Sequence, residues 1–169
     1  MPRTVSSLAL ALAAGAVLAI PSPAAAGSLT VTRFDDPVPD GCAAGDCSLR
    51  EALVAANATP AHDTIALDSG VYSLSLAGTG EDAAADGDLD VTSPATISGR
   101  GRGVTVLDAG GAATGERALD VLSAVTVSGL TVRNSTDVDR AGVSARDGST
   151  LTMTDVAVTG HQSSTDGYG

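Results

Sequence analysis

The chain has 169 residues and a net charge of −11, with 20 acidic side chains against 9 basic ones, all of them Arg. This balance argues against binding to a nucleic-acid backbone, which relies on basic side chains. It is typical of a soluble monomer kept apart by self-repulsion, or of a protein that attracts cations. The chain has only two Tyr, one Phe and no Trp, so a core of small aliphatic side chains is expected in place of an aromatic one.

Residues 1–26 predict a cleaved export signal. Arg3 provides a positive start, an apolar run extends from Leu8 to Ile20, and Ala24-Ala25-Ala26 offers small residues for cleavage before Gly27. The run is shorter than the ~20 residues that a transmembrane helix needs. An uncleaved N-terminal anchor is the alternative. We therefore expect a secreted or cell-surface protein without a transmembrane segment after cleavage.

Residues 27–62 predict an N-terminal cap made of a strand, a loop and a helix. The loop contains Cys42 and Cys47, five positions apart. In an exported protein, two cysteines at this spacing indicate a local disulfide. A metal site is the alternative, but His62 and His161 are distant in sequence.

The helix is predicted from Ser48 onwards. Ser48 and Glu51 form a capping-box pattern, in which each side chain can bond the backbone N–H of the other residue. Arg50 and Glu51 are interpreted as surface and capping residues. A helix of about ten residues is not stable alone in water, so its apolar stripe must cover the strands that follow, as a lid. The residues of the stripe are Leu49, Ala52, Leu53 and Ala56.

Residues 63–169 consist of short β-type runs with internal similarity. Ala95-Thr-Ile-Ser-Gly99 recurs thirty residues later as Val125-Thr-Val-Ser-Gly129, and the segment from Val125 recurs twenty-six residues later from Leu151. Such periods, with several strands and no helix, indicate stacked coils, with Gly99 and Gly129 at corners. The predicted fold is all-β, a parallel β-helix (solenoid) with a short N-terminal capping α-helix, and the resemblance described next implies that it is right-handed. A β-sandwich is the alternative.

Two motifs resemble known families. Cys47-Ser-Leu-Arg-Glu-Ala52, followed by Asn57 and then Asp63-Thr-Ile65, resembles the CSLREA domain of exported bacterial proteins. The segment from Val125 to Asn134 is similar to right-handed parallel β-helix repeats, including those of polymorphic outer-membrane and adhesin-like proteins. The resemblance implies an N-terminal cap followed by β-helix coils in a surface or secreted protein. It implies no particular reaction, because one fold serves many functions.

An acidic run between Glu81 and Asp90 is the candidate for a metal site. Asp86, Asp88 and Asp90 alternate as Ca²⁺ ligands do, but Gly87 is misplaced for the EF-hand pattern. A solvated loop is the favoured interpretation, with Ca²⁺ as the only cofactor considered. No catalytic or cofactor-binding residue is predicted.

These features predict an exported or cell-surface scaffold for adhesion or binding, without catalytic activity. The expected partner is an extracellular polysaccharide or a protein on a host or cell surface. The alternative is the N-terminal part of an extracellular polysaccharide lyase or hydrolase. Faces of Thr, Ser and Ala would favour the scaffold, whereas a row of acidic and basic side chains along a groove would favour the enzyme. Because residues 161–169 are polar and contain no capping segment, we also expect the chain to be part of a longer protein.

Overall fold

The computed structural model describes residues 25–111, 114–136 and 142–162. The predicted signal peptide, apart from its last two residues, lies outside the described residues, as does the polar segment 163–169. No helix in the described ranges combines the length and the hydropathy needed to cross a bilayer. The elements in chain order are β1 Ser28–Thr30, α1 Leu49–Asn57, β2 Asp63–Ala66, β3 Gly70–Ser73, β4 Leu89–Val91, β5 Ala95–Ser98, β6 Thr105–Asp108, β7 Leu119–Val121, β8 Ala124–Arg133, β9 Val143–Ala145 and β10 Thr150–Thr159.

The strands form two parallel sheets. The larger sheet has the order β1-β2-β5-β8-β6-β3, and β10 pairs with β8 beside this path. The smaller sheet has the order β4-β7-β9. Every pairing between these strands is parallel, so each pair requires a crossover connection in place of a tight hairpin.

The predicted right-handed parallel β-helix is wrong for this chain. The fold is mixed α/β, with the larger sheet curled into a half-barrel beside the small sheet and the helix. The physical reason lies in β8, which is ten residues long and pairs with both β5 and β6. It therefore joins into one sheet two strands that a solenoid would place in separate sheets. The expected corner at Gly129 is instead inside this strand, where φ is +63° and the alternation of buried residues changes phase.

The similar segments found in the sequence lie side by side in the sheets. Ala95 in β5 pairs with Val125 in β8, and Val125 pairs in turn with Leu151 in β10. In the small sheet, Leu89 pairs with Leu119 at a separation of thirty residues. Similar side chains are therefore stacked on one another across neighbouring strands. The sequence similarity correctly indicated which strands are neighbours, but it did not indicate how the strands are divided between the two sheets.

The core consists of stacked aliphatic rows. Ile65, Ile97 and Val127 occupy one register position in β2, β5 and β8, and each is at most 2% exposed. Burying a side chain of this size contributes about 1.5–3 kcal/mol. Among the described aromatic residues, Tyr72 is buried and contacts the half-exposed ring of Phe34, with the ring centroids 4.9 Å apart. Aliphatic rows thus do the packing that aromatic side chains do in many domains.

Helix α1 turns its apolar stripe toward the strands. It packs against β1, β2 and β4, and all four stripe residues are buried. Leu53 and Ala52 are both 0% exposed, so they lie at the centre of the contact. The amphipathic pattern therefore identified which face of the helix is covered.

We expect Leu53→Asp to destabilise the protein strongly, because it removes a buried aliphatic side chain and introduces a carboxylate without a partner. The loss should reach at least about 3 kcal/mol in the free energy of unfolding, measured by urea denaturation. Val38→Asp is the control, since Val38 is 73% exposed and should tolerate the change. Equal midpoints for Leu53→Asp and the unaltered protein would show that the helix does not cover the core.

Candidate functional site around Arg50 and the acidic loop

The loop before α1 is closed by a disulfide. Cys42 and Cys47 are bonded to each other, which confirms the predicted disulfide and rules out the alternative of a metal held by these thiolates. Cys47 is buried, and its backbone N–H donates to Thr32 Oγ1 at 3.0 Å. The disulfide therefore fixes the start of the helix against the segment after β1. Such bonds are typical of an oxidising, extracellular compartment.

The helix begins with a complete capping box. The Ser48 N–H donates to Glu51 Oε2 at 2.7 Å, and the Glu51 N–H donates to Ser48 Oγ at 3.2 Å. Glu51 Oε1 accepts a further bond from the Asp40 N–H at 3.3 Å. Burial alone would raise the pKa of Glu51, but the hydrogen bonds from Ser48 and Asp40 outweigh it and lower that pKa. Glu51 is therefore a charged structural group.

Arg50 is completely buried and forms a two-point ion pair with Asp36. Its Nε donates to Asp36 Oδ1 at 2.6 Å, and its Nη2 donates to Asp36 Oδ2 at 3.0 Å. Asp36 Oδ2 also accepts from the backbone N–H groups of Ser75 and Leu76, at 2.9 and 3.1 Å. The pair thus joins the helix to two other segments of the chain.

The guanidinium of Arg50 also holds the acidic loop, which we define as residues 81–90. Nη1 donates to the carbonyl oxygens of Ala84, Asp86 and Asp88, and Nη2 donates to that of Gly87 at 2.8 Å. Four carbonyls therefore converge on one side chain. This contact fixes the conformation of the loop, because burying backbone carbonyls without hydrogen-bond donors would cost free energy.

The interpretation of Arg50 as a surface residue is wrong. The side chain is 0% exposed, because the acidic loop folds over the polar side of the helix. Asn57, seven residues further on, acts on the same side: its Nδ2 donates to the Asp90 carbonyl at 2.8 Å, and its Oδ1 accepts from the Thr92 N–H at 2.9 Å. The spacing of these two polar residues was a signal available in the sequence, but it did not identify the loop as their partner.

The three carboxylates proposed from the sequence for Ca²⁺ have different surroundings. Asp86 is half-buried, whereas Asp88 and Asp90 are 6% and 0% exposed. Asp88 forms an ion pair with Arg117, with 3.3 Å between Oδ2 and Nε. The favoured interpretation of a fully solvated loop therefore does not hold for its last residues.

A different group of three carboxylates comes together at this place. Asp82, Asp90 and Asp120 each provide an oxygen atom, and these atoms lie within 4.8 Å of one another. Arg146 bridges two of the three, with Nη2 to Asp82 Oδ1 at 2.6 Å and Nε to Asp120 Oδ2 at 2.7 Å. Asp120 comes from β7, so sequence reasoning on the loop alone could not include it.

Burial disfavours ionisation in this cluster. It raises the pKa of Asp90 to about 7, with a further contribution from the charge of Asp88. It also raises the pKa of Asp88 to about 6, although Arg117 acts in the opposite direction. The Asp90 carboxyl is therefore only partly ionised at neutral pH.

The two histidines contact hydroxyl groups. His161 Nδ1 lies 2.5 Å from the hydroxyl oxygen of Ser135, and burial lowers the pKa of His161. Sequence reasoning missed this pair because the residues are 26 positions apart. Ser135 is 0% exposed, and its hydroxyl accepts from the Gly142 N–H, so the contact holds two loops together. His62 Nε2 lies 2.9 Å from Thr96 Oγ1 at the surface.

Comparisons with known proteins identify no relative: no protein-family model, curated protein or solved structure matches the chain. The resemblance of the Cys47–Ala52 segment to the CSLREA domain stays a prediction.

We expect Arg50→Met to lower the free energy of unfolding by about 3–5 kcal/mol, because it leaves the buried Asp36 carboxylate without its partner. Arg100→Met is the matched control. Arg100 pairs with Asp68 at 3.0 Å, but both side chains are 66% exposed, so its removal should change stability by less than about 1 kcal/mol. Chemical denaturation of both variants measures the difference, and similar losses would contradict a special role for the buried pair.

Proposed function

We propose that the protein is an exported or cell-surface binding scaffold without catalytic activity, and that it binds polysaccharide through the outer face of the larger sheet. The observation that carries this proposal is a regular array of hydroxyl groups on that face. Two rows of side chains cross β1, β2, β5, β8 and β10 in register. The first row is Ser28, Thr64, Thr96, Thr126 and Thr152, and the second is Thr30, Ala66, Ser98, Ser128 and Thr154.

The array has a defined spacing. Neighbouring strands are about 4.8 Å apart, and the two rows lie two residues apart along each strand, at about 6.6 Å. Both rows are exposed or half-buried, while in β2, β5 and β8 the residues between them, such as Ile97 and Val127, are buried in the core. Nine of the ten positions carry a hydroxyl group. The face therefore offers evenly spaced donors and acceptors.

Polysaccharide is the ligand class that this chemistry favours. Ser and Thr hydroxyls both donate and accept hydrogen bonds, as the hydroxyl groups of sugars do. The net charge of −11 disfavours polyanions, so we infer a neutral or cationic polymer. A repeating ligand would contact several strands at once and gain affinity from the number of contacts.

The residues of the Cys47–Ala52 segment support a scaffold because their polar groups are bonded within the protein. Arg50 is bonded to Asp36 and to the acidic loop, and Glu51 is bonded to the backbone of Ser48 and Asp40. A catalytic acid or base must reach the proton that it transfers, and these groups face the protein interior. The segment that carries the family resemblance thus stabilises the fold.

A pull-down on insoluble neutral and cationic polysaccharides tests the proposal. We expect the unaltered chain to bind one of them and the double variant Thr126→Val, Thr152→Val to bind about tenfold more weakly, because each lost hydrogen bond is worth about 0.5–1.5 kcal/mol. Val keeps the shape and strand preference of Thr, so the fold should be preserved.

Thr79→Val is the control, since Thr79 is exposed in the loop between β3 and β4, outside the strands that carry the two rows. The same incubations are assayed for unsaturated or shortened sugar products. Absence of binding to every polymer would overturn the proposal, as would equal binding by the double variant. Turnover of a polymer would favour the alternative of a lyase or hydrolase.

A further inference from the structure

We propose that Asp82, Asp90 and Asp120 bind a single Ca²⁺ ion, in a site that joins the acidic loop to the small sheet. This site differs from the alternating residues of the loop itself, since only Asp90 belongs to both. It is independent of the proposed polysaccharide-binding face, which lies on the larger sheet.

The strand register places the buried part of the site. Asp90 in β4 pairs with Asp120 in β7, and Asp120 pairs with Ser144 in β9. Residues at one register position of neighbouring parallel strands point to the same side, about 4.8 Å apart. Three oxygen-bearing side chains thus form a row across the small sheet. Asp82 approaches this row from the acidic loop.

Two oxygen atoms of the row lack a partner. Within the part of the chain that the structure describes, Asp90 Oδ1 and Asp120 Oδ1 are buried and have no hydrogen-bond donor. The other oxygen of each carboxylate is satisfied, by the Ala84 N–H for Asp90 and by Arg117 and Arg146 for Asp120. A buried carboxylate oxygen without a donor costs free energy, and a bound cation would remove that cost.

The surrounding charge also favours a cation. Asp88 and Asp120 share the guanidinium of Arg117, and Asp82 and Asp120 share that of Arg146. Within the described residues, these two arginines contact four carboxylates, which leaves a local excess of negative charge. The carboxylates are Asp82, Asp88, Glu116 and Asp120.

The donor set and the spacing select the metal. All three ligands are carboxylate oxygens, which suit hard cations and not zinc or copper. Ca²⁺ forms bonds of about 2.3–2.6 Å in flexible geometry, whereas Mg²⁺ demands near-ideal octahedral geometry at about 2.0–2.1 Å. Oxygens within 4.8 Å of one another therefore suit Ca²⁺ better, after small side-chain adjustments that leave the strands in place. Asp82 is 54% exposed, and an ion can enter from its side.

Isothermal titration of the purified chain with CaCl₂ tests the site. Because Arg146 already occupies one oxygen of Asp82 and one of Asp120, we expect one site with a Kd of about 0.1–1 mM, as in extracellular Ca²⁺ modules, and weaker binding of MgCl₂. Saturating Ca²⁺ should also raise the melting temperature, because the ion binds the folded state.

Asp82→Asn and Asp90→Asn should each weaken Ca²⁺ binding at least about tenfold, a loss of one carboxylate ligand. Asp82 is exposed, so this variant should keep the circular dichroism spectrum of the unaltered chain even if Asp90→Asn does not fold. Asp86→Asn is the matched control from the same loop and should bind normally. Absence of any heat or melting shift in about 10 mM CaCl₂, far above the expected Kd, would overturn the proposal. Loss of binding in Asp86→Asn but not in Asp82→Asn would also overturn it.

Discussion

The structure depends on the buried ion pair between Arg50 and Asp36. Taking two charges out of water costs several kcal/mol per ion, so such a pair persists only when its geometry is good and its remaining polar groups are bonded. Both conditions are met here, because two N–H groups of Arg50 bond Asp36 and its other three are shared among four carbonyls of the acidic loop. A single side chain thereby connects the helix, the segment after β1 and the loop that leads into β4. If one of these parts moved alone, either Arg50 or Asp36 would lose its partner and leave the other charge buried and unpaired.

Helix α1 consequently has two occupied sides. Its apolar stripe packs on the strands, as its periodicity predicts, and its polar side binds the acidic loop through Arg50 and Asn57. The helix therefore connects the half-barrel to the small sheet, and only its apolar side covers the strands as a lid. The family-like segment from Cys47 to Ala52 contributes a disulfide, a capping box and the buried pair. All three stabilise the fold, and we therefore propose the hydroxyl array on the larger sheet as the binding surface.

Negative charge is distributed through the molecule and is not confined to its surface. Asp36, Asp88, Asp90 and Asp120 are all at most 6% exposed. Asp36 is fully bonded through Arg50 and two backbone N–H groups, whereas Asp90 and Asp120 each keep one oxygen without a donor in the described residues. The net charge alone suggested solubility or attraction of cations, but it gave no position for either effect. The positions of the carboxylates show a structural ion pair in one place, and in another they support the cation site that we propose.

The sequence by itself determined the local features. The helix follows from its capping box and apolar stripe, the disulfide from the cysteine spacing, and the neighbouring strands from segments such as Ala95–Gly99 and Val125–Gly129, because all of these depend on residues that are close together or alike. It did not determine how strands join into sheets, since the continuity of β8 through Gly129 depends on pairing with both β5 and β6. Nor could it show that Arg50 is buried or that Asp120 meets Asp82 and Asp90. Only the tertiary structure decided these points, because ion pairs and ligand clusters are formed by segments that are far apart in the chain and become neighbours on folding.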